Sequence, residues 1–216
     1  MNGRRTASPT FVGIVGLAVA CSAAEDGSQA KPSVGPTIVD VAPPTAPAAT
    51  ATDLAGAAID PFADATTEVV VLAFVTPDCP VSNRYAPELA RIAAAQSPAR
   101  VSWWLVYPDP DVDAAQIEQH RREYGLPGTP VRDPAHVLVA RARVEVTPEV
   151  AVFHRDGATM SLAYHGRIDD RVPEFGRARP EPTRRELVDA LDAVLRGAPV
   201  ASPTAAAVGC PIDDLR

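Results

Sequence analysis

Cysteine is the side chain in this sequence best suited to covalent chemistry, and the 216 residues contain three of them. Cys79 follows an apolar run that predicts a buried strand, and it begins a segment with helical spacing of apolar residues. The first turn of a helix stabilises a thiolate through the helix dipole and free backbone N–H groups. We therefore predict that Cys79 is a redox nucleophile with a lowered pKa, hydrogen-bonded by Ser82, while the carboxylate of Asp78 acts in the opposite direction.

Cys210 lies in an irregular C-terminal stretch and is the second candidate for redox chemistry. The 13 residues from Gly197 to Cys210 can span roughly 40 Å when extended, whereas a domain of this size has a radius of gyration of about 15 Å. A disulfide between Cys79 and Cys210 is therefore within reach, with Cys210 as a distant resolving cysteine. The alternative, a free or partner-linked thiol in the tail, stays open at this point.

The N-terminal residues predict export. Arg4 and Arg5 precede an apolar run from Phe11 to Ala20 that is about half the length needed to cross a bilayer, which is typical of a signal peptide. The small residues that precede Cys21 resemble the lipobox of bacterial lipoproteins. Residues 1–21 are therefore predicted to be a signal peptide whose Cys21 becomes lipidated. Ordinary cleavage with a free Cys21, or an uncleaved anchor, remains an alternative.

Composition limits both the N-terminal organisation and the partners. Residues 22–52 are poor in large apolar side chains and rich in Ala, Pro, Ser and Thr, which predicts a disordered tether. We expect an exported protein of the cell envelope or periplasm, with membrane attachment only through the N-terminal lipid. The formal net charge of −7 argues against nucleic acid as a partner, because its phosphate backbone would be repelled.

The segments on either side of Cys79 predict alternating strands and helices. Residues 68–75 form a continuous apolar run, typical of a strand that is buried on both faces. Residues 80–96 predict a helix and residues 100–107 a second strand. Asp113 and Gln116 form a capping pair that opens a helix ending at Gly125.

The second half of the chain predicts a hairpin and a closing helix. Asp133-Pro134 is expected to open a short helix, and the turn at Asp156-Gly157 joins two antiparallel strands. Thr183 and Glu186 predict a capping box for the last helix. The alternation predicts an α/β sandwich with a central mixed sheet flanked by helices. Its domain is expected over residues 53–196, followed by a tail over 197–216.

Two motifs resemble the thioredoxin superfamily. The segment Cys79–Pro87 is similar to the active-site helix of that superfamily, including the proline eight residues after the cysteine. Thr147-Pro148, followed by an apolar strand, is similar to its cis-proline loop. Residues 166–171 and 209–212 resemble the bacterial redoxin branch, which groups peroxiredoxin-like and secreted thiol-disulfide proteins. The resemblance implies a thioredoxin-like domain with a cis bond before Pro148.

The resemblance also assigns roles to individual residues. Ser82 stands where a dithiol oxidoreductase has its second cysteine, so local chemistry at Cys79 is that of a single thiol. Thr76 keeps the Thr-x-x-Cys spacing of peroxiredoxins, in which the hydroxyl orients a peroxide. Arg167 is the candidate cation that stabilises the thiolate. A surface arginine paired with Asp169 or Asp170 is the alternative.

Two functions from different classes remain open. One is an envelope-tethered thiol oxidoreductase of the redoxin type, with antioxidant activity, that needs no cofactor and acts on a thiol or disulfide protein or on a small peroxide. The other is a non-catalytic module that binds a protein partner or copper. A copper site would combine Cys79 and Cys210 with His165 or His154, since thiolate and imidazole ligands suit that metal.

Overall fold

The computed structural model of the protein describes residues 50–213. The predicted signal peptide, Cys21 and all but the last residues of the predicted tether lie outside the described residues. Within residues 50–213, each helix is too short or too polar to cross a membrane. The strands are β1 (Val69–Phe74), β2 (Val101–Tyr107), β3 (Thr129–Arg132), β4 (Val146–Thr147), β5 (Glu149–Asp156), β6 (Thr159–Gly166), β7 (Thr204–Ala205) and β8 (Cys210–Pro211). The helices are α1 (Pro80–Ala94), α2 (Ala114–Tyr124), α3 (Val137–Ala142) and α4 (Glu186–Leu195).

Six strands form one mixed sheet in the order β3-β2-β1-β5-β6-β7. The strand pairs β3–β2, β2–β1 and β6–β7 are parallel, whereas β1–β5 and β5–β6 are antiparallel. The two remaining short strands, β4 and β8, pair antiparallel with each other. The predicted α/β sandwich with a central mixed sheet is therefore confirmed.

Strand β1 lies at the centre of the sheet and is buried along its whole length, as its apolar run predicts. Successive side chains of a strand point to opposite faces, so alternate residues enter different cores. Val71 and its neighbours on one face pack with side chains of α1, α2 and α4. Leu72 and Phe74 on the other face pack with α3 and with the N-terminal segment around Phe62. Helices and loops thus exclude water from both faces of β1.

The capping residues predicted for α2 and α3 can be compared with the observed starts of these helices. Asp113 and Gln116 form the predicted capping box, and α2 ends at Gly125 in the left-handed conformation. Helix α3 begins later than predicted, at Val137 rather than at Asp133-Pro134. The buried carboxylate of Asp133 reaches forward and accepts hydrogen bonds from the backbone N–H groups of the first three residues of α3. Asp133 thus caps the helix from outside it.

The capping box predicted for α4 is wrong. Helix α4 does begin at Glu186, but no side chain caps it. The Thr183 hydroxyl instead donates to Asp170 at 2.5 Å, and the Thr183 amide donates to the same carboxylate at 2.7 Å. Asp170 is buried and also accepts from Arg179 and from the Arg184 amide. The buried carboxylate of Asp170, in the loop before α4, therefore binds the Thr183 side chain that was predicted to cap the helix.

The ordered domain is larger than the predicted 53–196 at both ends. Ala51 is buried, and Thr52 exchanges backbone hydrogen bonds with Arg132 at the edge of the sheet. The predicted tail contributes β7 to the main sheet and β8 to the pair with β4. Strand β3 was not predicted at all, because its four residues include Pro130 and carry no alternating pattern. The tail is thus part of the fold.

Candidate active site

Cys79 sits between strand β1 and helix α1, as the sequence predicts. It is the N-cap residue of α1, with an extended backbone, and Pro80 takes the first helical position, where a missing N–H costs nothing. The Cys79 amide donates to the Thr76 carbonyl, and the Asn83 amide donates to the Cys79 carbonyl in the first helical bond. The side chain has no exposed surface. The helix start therefore holds the thiol inside the protein.

The loop before β5 forms the opposite wall of the site. The Thr147-Pro148 bond is cis, as predicted, and Pro148 is buried. The Cys79 thiol donates to the Thr147 carbonyl at 3.0 Å, although the two residues are 68 positions apart. The two motifs identified in the sequence thus meet at one point of the structure.

Cys210 reaches this point from the C-terminal tail. Its thiol donates to the Cys79 sulfur, with 2.7 Å between the two Sγ atoms, and both cysteines are free thiols. Strand β8 brings Cys210 there, because its pairing with β4 places Cys210 opposite Thr147. The sequence left the position of the tail open. The structure brings Cys79, Cys210 and the residue before Pro148 into direct contact.

The two thiols have pKa values shifted in opposite directions. Burial raises the pKa of Cys79, but hydrogen bonds from the Cys210 thiol and from the Ser82 amide and hydroxyl lower it by more, so the pKa lies below its ordinary value. For Cys210, burial, the hydrogen bond to Cys79 and the charge of Cys79 raise the pKa to about 12. Cys79 therefore ionises first. Cys210 keeps its proton and donates a hydrogen bond to the Cys79 thiolate.

Ser82 is one turn along α1 from Cys79 and is 1% exposed. Its hydroxyl has no hydrogen-bond partner among the described residues while the Cys79 thiol is protonated. Ionisation of Cys79 makes its sulfur a stronger acceptor, and a hydrogen bond from the Ser82 hydroxyl then favours the thiolate and lowers the pKa of Cys79. The hydrogen bond predicted from the sequence thus belongs to the thiolate state. Asp78, by contrast, is exposed; burial lowers the pKa of His120, and the charges of Glu123 and Asp78 only oppose that shift.

Comparisons with known proteins agree with this architecture. No family model matches the chain, and no curated protein matches it. A hypothetical protein from Sinorhizobium meliloti is similar over 74% of this chain and 87% of its own, with 22% identity and a TM-score of 0.62. An uncharacterized conserved protein from Geobacillus kaustophilus is similar over 76% and 86%, with 23% identity and a TM-score of 0.61. A secreted Mycobacterium tuberculosis disulfide oxidoreductase has 26% identity over 68% and 94%, with a TM-score of 0.44.

The arrangement of the sheet, with the cysteine at the end of β1 and the cis-proline before β5 facing it, decides the fold. The chain has the thioredoxin fold. In this thioredoxin fold the position of the second local cysteine is held by Ser82, and the second thiol comes instead from the end of the chain.

Of two other predicted site residues, Arg167 has different surroundings from those expected, whereas Thr76 lies beside Cys79. Arg167 donates through Nε and Nη2 to Glu186 at 3.0 and 2.5 Å, rather than facing the thiolate or pairing with Asp169 or Asp170. Burial of the Glu186 carboxylate explains this choice, because a buried anion needs a cation. Thr76 is half-buried beside Cys79 and lines a cavity of about 210 Å³ with Thr147.

Hydrogen bonds connect the side chains of Asn83, His120 and Tyr107 near the start of α1, and this network was not predicted from the sequence. His120 Nε2 lies 2.8 Å from Asn83 Oδ1, and His120 Nδ1 lies 3.0 Å from the Tyr107 hydroxyl. Asn83 Nδ2 donates to the Pro77 carbonyl at 2.9 Å. An amide oxygen accepts only, so Nε2 carries the proton and neutral Nδ1 accepts from Tyr107. Asn83 lies four residues after Cys79, the spacing that puts both on one side of α1, and this signal could have identified it.

Histidine and cysteine do not combine into the copper site considered from the sequence. Among residues 50–213 there is no group of three or more His, Cys, Asp or Glu side chains placed to hold a metal ion. His165 faces Glu149, with 3.5 Å between Nδ1 and Oε1. His154 pairs in register with Val69 at the far end of β5 from the cis-proline. The two thiols thus stand together without either imidazole.

Proposed function

We propose that the protein is a thiol-disulfide oxidoreductase of the redoxin type, with Cys79 as the nucleophile and Cys210 as the resolving cysteine. The observation that carries this proposal is the 2.7 Å separation of the two sulfurs, which lie 131 positions apart in the chain. A disulfide has an S–S distance of about 2.05 Å, so the bond needs a movement of less than about 1 Å. The opposite pKa shifts assign the attacking role to Cys79 and the later role to Cys210.

The proposed reaction is an exchange of two electrons with a partner disulfide. The Cys79 thiolate attacks one sulfur of the partner, which forms a mixed disulfide and releases the other partner sulfur as a thiolate. Cys210 then loses its proton and attacks Cys79 Sγ, which forms the Cys79–Cys210 disulfide and releases the second partner sulfur. The two protons lost by the protein end on the two partner thiols. The same steps in reverse oxidise a partner dithiol.

The surroundings of Cys79 favour exchange with a disulfide over reaction with a peroxide. Ser82 gives a hydrogen bond that strengthens when Cys79 ionises, as either reaction requires, and Thr147 and Pro148 form the wall that faces the thiol. A small peroxide would instead oxidise Cys79 to a sulfenic acid and leave as an alcohol or water, after which Cys210 would form the disulfide and release water. Thr76 lines a cavity with Thr147, but the cation expected for that reaction, Arg167, is bound to Glu186. Thiol-disulfide exchange is therefore the function proposed.

Export and attachment complete the proposal. A disulfide-forming pair of cysteines fits an oxidising compartment outside the cytosol. The apolar run before Cys21 and its small residues support a lipoprotein of the cell envelope, and the Mycobacterium tuberculosis disulfide oxidoreductase named above is itself secreted. The partners are then thiol or disulfide proteins of the same compartment.

A mass-spectrometric map of the thiols tests the proposal. The reduced full-length protein is mixed with glutathione disulfide, quenched with acid and digested. We expect a Cys79–Cys210 disulfide in the wild type, and a stable Cys79–glutathione adduct in Cys210→Ser, which cannot resolve it. Cys79→Ser is the matched control and should form neither product. A wild type without the disulfide, together with a Cys210→Ser protein without the adduct, would favour the non-catalytic binding module.

A further inference from the structure

Cys79 is completely covered, although the proposed function requires it to attack another molecule. The residue that lies on its sulfur is Cys210, which belongs to the C-terminal tail. Cys210 itself is only partly buried. A partner disulfide can therefore reach Cys79 only after the tail has moved, and how the tail is held determines how often that happens.

The tail is held at the edge of β4 as a short antiparallel strand. Thr147 pairs with Cys210 and Val146 with Pro211, and the Ile212 amide donates to the Glu145 carbonyl at 3.0 Å. Ile212 is buried and packs in the core on the α3 side of the sheet. Backbone pairing, the buried Ile212 and the partly buried Val208 thus fix the strand, and none of these depends on the thiol of Cys210.

Gly209 makes the close approach of this strand possible. A Cβ atom at position 209 would lie 2.2 Å from the Thr147 carbonyl oxygen and 3.1 Å from the Pro148 nitrogen. Both are backbone atoms, which cannot turn aside as a flexible side chain could. Only a residue without a side chain therefore fits before the cysteine of a strand that lies in this place.

We propose that the tail occupies the edge on which a partner binds, so that tail and partner alternate on β4. This inference rests on the proposed function. The partner is a thiol or disulfide protein that presents its cysteine in an extended segment, with glycine before the cysteine, because it meets the same Thr147 carbonyl that Gly209 meets. Strand β8 leaves the edge to admit the partner strand, while β7 stays in the main sheet. Once the mixed disulfide has formed, the partner strand leaves the edge with its cysteine still bonded to Cys79, and β8 returns with Cys210 to resolve the mixed disulfide.

The first test measures how fast Cys79 is alkylated by iodoacetamide in the reduced full-length protein, by mass spectrometry of the Cys79 peptide. Gly209→Ala should accelerate the reaction at least about tenfold, because an overpacked backbone contact weakens tail docking by that order. Ala206→Ser is the matched control, since Ala206 lies in the same tail but is exposed. Equal rates in wild type and Gly209→Ala would overturn the inference.

A second variant covers the case in which Gly209→Ala does not fold. Ile212→Ser removes the buried apolar anchor of the tail without changing either cysteine, and it should also accelerate alkylation of Cys79. Cys210→Ser should not, because the strand pairing and Ile212 remain in place. Alkylation that is fast in Cys210→Ser and slow in Ile212→Ser would show that the thiol alone covers Cys79, against the inference.

The third test uses the partner strand itself. Two peptides, Val-Gly-Cys-Pro-Ile and Val-Ala-Cys-Pro-Ile, are offered as glutathione mixed disulfides to the Cys210→Ser protein. The glycine peptide should form its adduct with Cys79 about tenfold faster, by the same steric argument. Equal rates would refute the requirement for glycine. Alkylation without any adduct would instead refute the redox function while the covering role of the tail stands, so the two failures are distinguishable.

Discussion

Replacing Ser82 by alanine removes a hydroxyl whose only proposed use is to stabilise the Cys79 thiolate. The hydroxyl is buried and has no partner in the protonated state, so its removal breaks no hydrogen bond there. In the ionised state it removes a hydrogen bond to a charged group, which contributes about 1.5–3 kcal/mol. The substitution therefore acts almost entirely on the thiolate, and it should raise the pKa of Cys79 by the equivalent of that free energy.

Ultraviolet absorbance of the thiolate, followed against pH, measures this shift without a reagent having to reach the buried sulfur. With Cys21 lipidated or replaced by serine, the two remaining thiols should titrate in two separate steps, since the pKa of Cys79 lies below its ordinary value and burial raises that of Cys210. In Ser82→Ala the first step should move to higher pH. At a fixed pH below that step, the thiolate population should fall at least about tenfold, since each 1.4 kcal/mol is a factor of ten.

Thr76→Val is the matched control, because Thr76 is half-buried three residues before Cys79 and its side chain makes no hydrogen bond to either thiol among the described residues. It should leave the first step in place. The free energy of unfolding of Ser82→Ala, measured in urea below the first step, should equal or exceed that of the wild type, because a buried polar group without a partner is removed. A first step that does not move in Ser82→Ala would refute the role given to this hydroxyl.

Three further predictions concern charge and stability. Asp170→Asn should lower the free energy of unfolding by about 2–3 kcal/mol at neutral pH. Burial raises the pKa of Asp170, but its hydrogen bonds and Arg179 lower it by more. The difference in stability between wild type and variant should therefore shrink as the pH falls below about 4. Burial lowers the pKa of His120, so wild-type stability should decline as the pH falls below about 6.5, and urea titrations should show a smaller decline in His120→Gln. Arg167→Met should reduce the free energy of unfolding, because it takes a cation from the buried Glu186, yet leave the first thiolate step unchanged. A higher pKa of Cys79 in Arg167→Met would show that Arg167 does stabilise the thiolate.

The main elements could be predicted because the signals that specify them are local. The apolar run of β1, the capping box of α2 and the turn at Gly157 each depend on residues close in sequence, and each is confirmed. The place of Cys79 followed from the strand and helix beside it, whereas the cis bond before Pro148 was implied by the resemblance to the thioredoxin superfamily. Local signals therefore predicted most of the fold, and the resemblance supplied the cis-proline loop of the site.

The missed features depend on contacts between residues far apart in sequence. Thr183 was assigned to the helix beside it, but the buried Asp170 attracts its hydroxyl. Arg167 was assigned to the thiol, but burial of Glu186 fixes its partner. The docking of the tail depends on clearance at Gly209, and a glycine next to a cysteine in an irregular segment gives no signal of what its backbone will touch.

The contact between Cys79 and Cys210 also links the redox state of the protein to the stability of its fold. A bond between these sulfurs would close a loop of 131 positions. Closing a loop of that length removes enough freedom from the unfolded chain to stabilise the fold by about 5 kcal/mol in the chain-entropy model. A thermodynamic cycle makes the effect reciprocal, so folding strengthens the bond by the same amount that the bond strengthens folding. The melting temperature of the domain would then report its oxidation state. The disulfide would also be much easier to reduce in the unfolded chain than in the native protein.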